Sequence, residues 1–203
     1  LLVSSAASDV YKRQIKVNKI KSEVFRIGSD IYNGTADYLL KYMRQQRCGF
    51  NPYLTESCHL DDGFIVYHPT KNHQHIDVTG GWHDATDYLQ YTTTSANAIY
   101  QMALAYDDNS LAFDDYYSSN GLPGPNKIPD VVDEIKFGVD WLLKMNPNQN
   151  EYYNQIADDR DHIGYRLPND DKVIYDSLLK GRPVYFINGC LLYTSDAADD
   201  TRS

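Results

Sequence analysis

Apolar residues recur at helical spacing in three stretches of the chain, 22–46, 92–106 and 128–147. Asn33-Gly34 can divide the first stretch in two, and Arg47-Cys48-Gly49 ends it, because glycine commonly terminates helices. The third stretch has a proline and several acidic residues in its first turn, where the positive end of the helix dipole favours them. The pattern therefore predicts helices joined by long polar segments.

The longest polar segment covers residues 49–81 and is rich in Asn, Pro, Asp, His and Gly. We expect one long loop here, with a short strand at 64–67. Loops of this length are uncommon in compact domains and usually carry function. A second extended segment is predicted at 181–187.

Both ends of the chain resemble translated sequencing adapters. Residues 4–14 back-translate without a mismatch into a transposon-end adapter used to build shotgun libraries, and residues 190–200 encode the opposite strand of the same oligonucleotide. A native N-terminal extension and acidic tail would not encode complementary strands. We therefore expect 1–14 and 190–203 to be adapter-derived, and 15–189 to be the native sequence.

The composition excludes several classes of partner. The formal net charge is −9, without a cluster of Lys or Arg, which argues against nucleic acid and anionic membrane surfaces. No apolar run approaches the roughly 20 residues of a membrane span. The chain has 18 tyrosines, which suit either a cleft for a polar ring-shaped ligand or an ordinary tyrosine-rich core and surface.

Candidate chemistry is concentrated in the stretch Asp77-Val-Thr-Gly-Gly-Trp-His-Asp-Ala-Thr-Asp-Tyr88. Asp84 and Asp87 lie three residues apart, flanked by Trp82 and Tyr88. If a helix begins at Asp84, both carboxylates share one face and can hold the same water for general-base attack on a sugar. The spacing alone also fits a helix N-cap followed by a solvated charge.

Cysteine and histidine residues in and beside the long loop form a candidate zinc site. The proposed ligands are Cys48, Cys58, His59 and His83. Two thiolates and two imidazoles suit a closed tetrahedral structural site. The alternative is a reduced pair of buried thiols beside unrelated histidines, and His73 and His75 are rival fourth ligands. Two native cysteines do not make a disulfide framework.

A further candidate lies in the polar segment after residue 150. His162 and Tyr165 are three residues apart with Gly164 between them, which gives a compact platform that could meet a sugar ring. The alternative is an acidic surface loop with one helical turn.

Several of these motifs together resemble the family-nine glycoside hydrolases, the inverting cellulase-type enzymes. The 77–88 stretch matches the family signature and departs from it only at Thr86, where glycine is usual. The resemblance covers most of 22–187 and also rests on Arg47-Cys48-Gly49, Cys58-His59, Asp61-Asp62 and residues 124–145.

The resemblance implies roles for individual residues. Asp87 corresponds to the general base that deprotonates the attacking water, and Asp84 to its partner in holding that water. Trp82 and Tyr88 are expected to contact the substrate. The platform residues align with a His-x-x-Trp motif of the glucose-binding cleft, and tyrosine at the tryptophan position predicts weaker stacking.

The same resemblance implies a fold, a cofactor and a substrate. Residues 15–189 are expected to be the N-terminal part of the catalytic domain, a mainly α partial (α/α)6 six-hairpin barrel. The four Cys and His residues correspond to structural zinc ligands, and calcium is conceivable in the full-length enzyme. The substrate is expected to be a β-glucan oligosaccharide or polysaccharide, and the location secreted, periplasmic or at the cell surface.

The family's general acid is a glutamate near the end of its domain, so the fragment is expected to be inactive alone. The two aspartates are both on the water side of the scissile bond and cannot supply the acid. Rival readings are a non-catalytic carbohydrate-binding protein on the same fold, and another α/α-barrel carbohydrate-active enzyme such as a lyase or epimerase.

Overall fold

The computed structural model describes residues 12–28, 31–32, 34–162, 164–171 and 179–187. The predicted adapter segments lie almost wholly outside this part of the chain. Within it there are three α-helices and ten short strands, so the fold is mixed α/β. The prediction of a mainly α partial barrel of helical hairpins is therefore wrong for the described residues.

The helices are α1 (Thr35–Gln45), α2 (Thr92–Asp108) and α3 (Asp130–Met145). The apolar spacing predicted α2 and α3 correctly, and these two helices pack against each other. The first predicted helical stretch was wrong over its first half. Gly34 has a φ of 77° just before α1, a left-handed conformation that glycine adopts without steric cost.

The ten strands are short, each two to five residues long. They are β1 (Lys12–Arg13), β2 (Lys16–Val17), β3 (Ile20–Lys21), β4 (Phe25–Arg26), β5 (Gly49–Asn51), β6 (Glu56–Cys58), β7 (Phe64–Val66), β8 (Gln90–Tyr91), β9 (Tyr152–Ile156) and β10 (Pro183–Ile187). The strands predicted at 64–67 and 181–187 are confirmed as β7 and β10. The single long loop predicted at 49–81 is wrong, because it contains the antiparallel β5–β6 hairpin as well as β7.

The largest sheet has four strands in the order β7-β10-β9-β8. Strand β10 pairs in parallel with β7 and antiparallel with β9, which also pairs antiparallel with β8. Strands of two to five residues show no measurable alternation of apolar and polar positions, so the helical pattern dominated the sequence. This is the physical reason for the error in fold class.

The main core is formed by residues from α3, the sheet and the segment that precedes the Gly-Gly pair. Its buried members are Ile65, Val78, Trp141, Met145, Tyr153, Ile156 and Val184. Trp141 is 1% exposed, and its indole N–H donates to the Val78 carbonyl at 3.0 Å. The core therefore fixes the start of the stretch that carries the candidate carboxylates.

None of the helices in the described part of the chain is long and apolar enough to cross a membrane.

Candidate functional site

The Gly80-Gly81 pair passes directly over the indole ring of Trp141. Gly81 has a φ of 69°, and a Cβ atom added there would lie 2.5 Å from Cδ2 of Trp141. Any side chain at this position would therefore collide with the ring. Gly81 is required both by its backbone conformation and by its close approach to the core.

Trp82 lies in the interior, against helix α3. A Cβ atom at Gly138 would lie 2.2 Å from Cη2 of Trp82, so the missing side chain of that glycine makes room for the indole. The Trp82 indole N–H donates to Oε1 of Glu134 at 2.8 Å, and Trp82 is only 4% exposed. Trp82, which was predicted to contact the sugar, is thus buried and anchors the loop instead of lying on an open surface.

Glu134 joins this anchor to the segment that precedes the first cysteine. Arg47 donates from Nη2 to Oε2 of Glu134 at 2.7 Å and from Nε to Oε1 at 3.2 Å, and both side chains are buried. The guanidinium also lies 4.2 Å from the ring centroid of Phe137. A bidentate pair at this depth holds two segments in one fixed arrangement, because each charge depends on its partner. Sequence reasoning missed Glu134, because the acids at the start of α3 were all explained by the helix dipole; the spacing of Glu134 from Gly138 and Trp141 places it on the buried face.

The carboxylates lie on a tight loop and not at a helix start. The Asp84 amide donates to the Leu89 carbonyl at 2.8 Å, and the Tyr88 amide donates to the Ala85 carbonyl at 3.2 Å. The helix predicted to begin at Asp84 is therefore wrong. Asp84 is exposed to solvent, whereas Asp87 has a side chain that is 17% exposed.

Both carboxylate oxygens of Asp87 make polar contacts that orient the side chain. The Leu89 amide donates to Oδ1 at 3.3 Å, and Oδ2 lies 3.0 Å from Nε2 of His162. Two predicted site residues from distant parts of the sequence are thus brought together. Tyr165 is 95% exposed and stands on the open surface of the same polar segment.

Thr86, at the position where family members usually have glycine, fits the loop without strain. The described non-glycine residues with positive φ include Tyr88 at 62° but not Thr86. Its side chain faces solvent between the two carboxylates. Thr86 therefore does not adopt the left-handed conformation that favours glycine.

Tyr88 is packed between the Cys/His cluster and the polar segment that carries His162. Its ring centroid lies 4.8 Å from that of His83, and its hydroxyl donates to the Arg166 carbonyl. Burial, as the largest influence, raises the pKa of Tyr88, so the phenol stays protonated as a donor. Like Trp82, Tyr88 was predicted to contact the substrate, but its contacts mainly support the loop.

Arg182 fixes the far end of the loop. It donates to the Tyr88 carbonyl from Nη1 and to Asp62 from Nε and Nη2 at 2.9 and 2.7 Å. Burial opposes the positive charge of Arg182, but the neighbouring Asp62 carboxylate outweighs it and raises the pKa of Arg182. This pair connects the loop of residues 82–89 to the start of β10.

The four predicted metal ligands converge in the structure. The donor atoms of Cys48, Cys58, His59 and His83 all lie within 4.8 Å of one another. The β5–β6 hairpin aligns Gly49 with Cys58, and the His83 amide donates to the Gln46 carbonyl at 2.8 Å. Within the described residues, neither of the rival ligands His73 and His75 belongs to this group.

The chemistry of the cluster suits a metal ion. Nδ1 of His59 is buried without a hydrogen-bond partner, while its Nε2 lies 3.1 Å from Oδ2 of Asp171. The hydrogen bond with Cys48 and the neighbouring imidazoles outweigh burial and lower the pKa of Cys58 to about 2. The same hydrogen bond, together with burial, raises the pKa of Cys48 well above its ordinary value. A thiolate, a second thiol and two imidazoles form the S2N2 donor set that tetrahedral Zn²⁺ prefers.

Open space lies beside this loop. A surface groove of about 450 Å³ includes Tyr42, Tyr53, Thr86, Tyr88 and Leu167 among its lining residues. A smaller pocket of about 150 Å³ reaches Asp84 from the side of α2. An extended polar ligand can therefore approach the loop from solvent.

Two carboxylates project from one loop beside an open groove, with an imidazole held against one of them, an arrangement that suits water activation in a glycoside hydrolase. A second feature is the buried Cys/His cluster, which shares His83 with this loop. The chain belongs to glycosyl hydrolase family 9, whose model matches residues 32–201.

Curated relatives support the same assignment. A cellodextrinase from Butyrivibrio fibrisolvens is 26% identical over 176 residues, which cover 83% of this chain and 31% of that protein. Endoglucanase D from Acetivibrio thermocellus is 30% identical over 165 residues, which cover 74% of this chain and 25% of that protein. The chain thus spans about a quarter to a third of the length of these relatives.

Solved structures of the family share the fold of this chain. The endoglucanase J30 of family 9 matches with a TM-score of 0.68 and 26% identity, covering 86% of this chain and 33% of that one. A Zn-binding triple mutant of endoglucanase J30 matches with a TM-score of 0.68 and 28% identity, over the same shares of the two chains.

Proposed function

We propose that this chain supplies the water-activating side of an inverting endo-β-1,4-glucanase. Asp87 takes a proton from the attacking water, and Asp84 holds the same water in place. The observation that carries the proposal is the placement of Asp87, a partly buried carboxylate oriented by the Leu89 amide and by His162 at 3.0 Å. The names of the relatives, an endoglucanase and a cellodextrinase, support a β-glucan as the substrate.

The contacts of Asp87 suit a general base. A carboxylate that accepts hydrogen bonds from an amide and an imidazole has its orientation fixed, while each oxygen keeps a lone pair for the water. Asp84 has its amide committed to Leu89 and its side chain open to solvent, so it can accept the second hydrogen of that water. A positioned general base contributes about 10²- to 10⁴-fold to the rate.

The sugar contacts are proposed to come from the exposed part of the site. Tyr165, with nearly its whole ring open to solvent, can stack on a pyranose face, and His162 can donate to a hydroxyl. Trp82 and Tyr88 then act by holding the loop in position. The aromatic groove beside the loop extends the surface available to a longer glucan.

The Cys/His cluster is proposed to bind a structural zinc ion. Cys48, Cys58, His59 and His83 would hold it, and the bound ion would cross-link the β5–β6 hairpin to the catalytic loop through His83. A closed four-ligand site provides folding energy rather than a Lewis acid for the substrate.

The general acid is proposed to come from outside the described residues. Inversion needs a second carboxyl group about 6.5–9.5 Å from the base, across the scissile bond. The chain has four glutamates. Glu134 is committed to Arg47 and Trp82, Glu151 pairs with Lys71, Glu56 accepts from Asn169, and Glu23 lies exposed in the segment before α1. We therefore expect the 203-residue chain alone not to hydrolyse glucan.

The test of this proposal is Asp87→Asn in a full-length family 9 enzyme that carries residues 15–189. Turnover of cello-oligosaccharides should fall by about 10²-fold or more, while their binding, measured by calorimetry, is retained. Asp107→Asn, an exposed change on α2, is the matched control and should leave both unchanged. Unaltered turnover in Asp87→Asn would remove the proposed base.

A second candidate is a carbohydrate-binding protein without catalysis. It is favoured by the direct contact of His162 with Asp87, which occupies the oxygen that a catalytic water would approach. In that case the unmodified full-length protein binds oligosaccharides without turnover. A lyase or an epimerase would instead give products without the inverted anomer, which proton NMR of the first product distinguishes.

A further inference from the structure

Asp171 lies directly behind the Cys/His cluster and touches one of its members. Its Oδ2 lies 3.1 Å from Nε2 of His59, and the two side chains are 3% and 5% exposed. The other ring nitrogen of His59 is the buried Nδ1 without a hydrogen-bond partner. One edge of this imidazole therefore faces the cluster, and the opposite edge is held by a buried carboxylate.

The same carboxylate is clamped by an arginine from the polar segment. Nε of Arg166 lies 2.8 Å from Oδ1 of Asp171, and Nη2 donates to Oδ2 at 2.9 Å. Nη2 of Arg166 also pairs with Asp161, whose side chain is fully buried. The guanidinium carbon lies 5.2 Å from the ring centroid of Tyr88. Asp171 thus joins the cluster to the segment that contains Arg166 and Asp161.

The same segment also contacts Asp87, the proposed general base. His162 follows Asp161 directly in the chain, and its Nε2 lies 3.0 Å from Oδ2 of Asp87. One continuous path therefore runs from His59 through Asp171, Arg166 and Asp161 to His162, its last step being the peptide bond between Asp161 and His162.

We propose that Asp171 is a positioning residue that couples metal binding at the Cys/His cluster to the ordering of residues 158–162 and 164–171. Through that ordering, the coupling places His162 against Asp87. The inference rests on the proposed metal site and adds to it a defined outer contact.

The physical basis is the choice of tautomer on His59. When Nδ1 is used as a ligand, the imidazole carries its remaining proton on Nε2 and donates it to Asp171. The ring is then fixed in orientation, and the carboxylate that it holds can pair with Arg166 in a single geometry. Without a ligand, the buried Nδ1 is left without a partner, so the same arrangement of His59 and Asp171 is less stable.

The first measurement is the affinity of the 203-residue chain for Zn²⁺, determined by competition with a chromogenic chelator. Asp171→Asn should weaken zinc binding by about 10- to 100-fold, as loss of an outer carboxylate typically does. Asp171→Glu keeps the carboxylate and should restore most of the affinity. Asp170→Asn is the matched control, an exposed neighbouring acid whose change should have no effect.

The second measurement is amide hydrogen exchange of residues 158–162 and 164–171, with and without Zn²⁺. Zinc should protect these amides in the unmodified chain and in Asp170→Asn, but not in Asp171→Asn. Arg166→Gln leaves His59 and Asp171 in place, so zinc affinity should be kept while the zinc-dependent protection is lost. Arg166→Lys, which keeps the charge, should recover part of that protection.

The outcomes separate this inference from the proposed metal site. If the unmodified chain binds no zinc, the metal site itself fails. If it binds zinc but Asp171→Asn binds equally well, or Arg166→Gln keeps the protection, the coupling is wrong and the metal site stands. If Asp171→Asn does not fold, the comparison of Arg166→Gln with Arg166→Lys still decides the question.

Discussion

The carboxylate of Asp87 and the imidazole of His162 meet at 3.0 Å, although they belong to loops that lie on opposite sides of helices α2 and α3 in the sequence. The Asp87 side chain is 17% exposed and the His162 side chain 59% exposed. The contact is thus partly shielded on the side of Asp87 and open to solvent on the side of His162.

The first prediction concerns this contact. In the full-length enzyme, His162→Ala should lower kcat/KM for cello-oligosaccharides by about tenfold, corresponding to about 1.4 kcal/mol. The effect is modest because the imidazole is more than half exposed, so solvent screens the interaction. His162→Gln keeps a donor and should retain more activity than the alanine variant. Equal activity of all three proteins would show that the contact has no role in turnover.

The second prediction concerns the buried pair behind the loop. Glu134→Gln leaves the Arg47 charge buried without its partner and should lower the free energy of unfolding by about 3–5 kcal/mol. Urea denaturation followed by tryptophan fluorescence is the measurement, since Trp82 contacts the same carboxylate. Asp140→Asn removes the exposed pair with Lys136 on the same helix and should cost about 0.5 kcal/mol or less. Similar costs for the two variants would contradict the assigned role of Glu134.

A third prediction separates steric exclusion from backbone strain at glycine. Gly81→Ala introduces a Cβ atom 2.5 Å from the Trp141 ring, whereas a Cβ at Gly34 meets nothing within 4 Å. Both residues have positive φ, at 69° and 77°. We expect Gly81→Ala to destabilise the chain by about 2 kcal/mol more than Gly34→Ala, the difference being the overpacking term. Equal changes in the urea midpoint would mean that the loop can move away from the core.

The fourth prediction concerns the metal. Cys58→Ser should reduce the zinc content of the purified chain well below one equivalent, while His73→Ala should leave it unchanged, because His73 lies outside the cluster. Zinc should also be lost at acidic pH, since protons compete for the same thiolate and imidazole lone pairs. Elemental analysis after dialysis at stepwise lower pH gives both results. Unchanged metal content in Cys58→Ser would disprove the site.

Local patterns in the sequence predicted the features that depend on nearby residues. Helices α2 and α3 follow from apolar spacing, and the four cluster residues follow from donor chemistry and the family motif. The sheet could not be predicted in this way, because β7 pairs with β10 across most of the chain and its strands are too short to show periodicity.

The supporting residues of the site were missed for a related physical reason. Asp171 and Arg166 act through contacts that the local sequence does not show. From the sequence alone, an acidic or basic residue in a polar loop is interpreted as a solvated charge. Trp82 was expected at the sugar, but the signal for its burial lies in helix α3, where Gly138 provides the space for its ring. Pairing of that kind can be recognised only when both segments are considered together.

The solvent-facing centre of the loop of residues 82–89 can be altered without disturbing its ends. Ala85 and Thr86 contribute to the wall of the adjoining groove, while the ends of the loop are fixed by interior contacts at Trp82 and at the Tyr88 carbonyl. Substitutions at 85 and 86 can therefore alter the surface that a ligand meets without removing a stabilising contact.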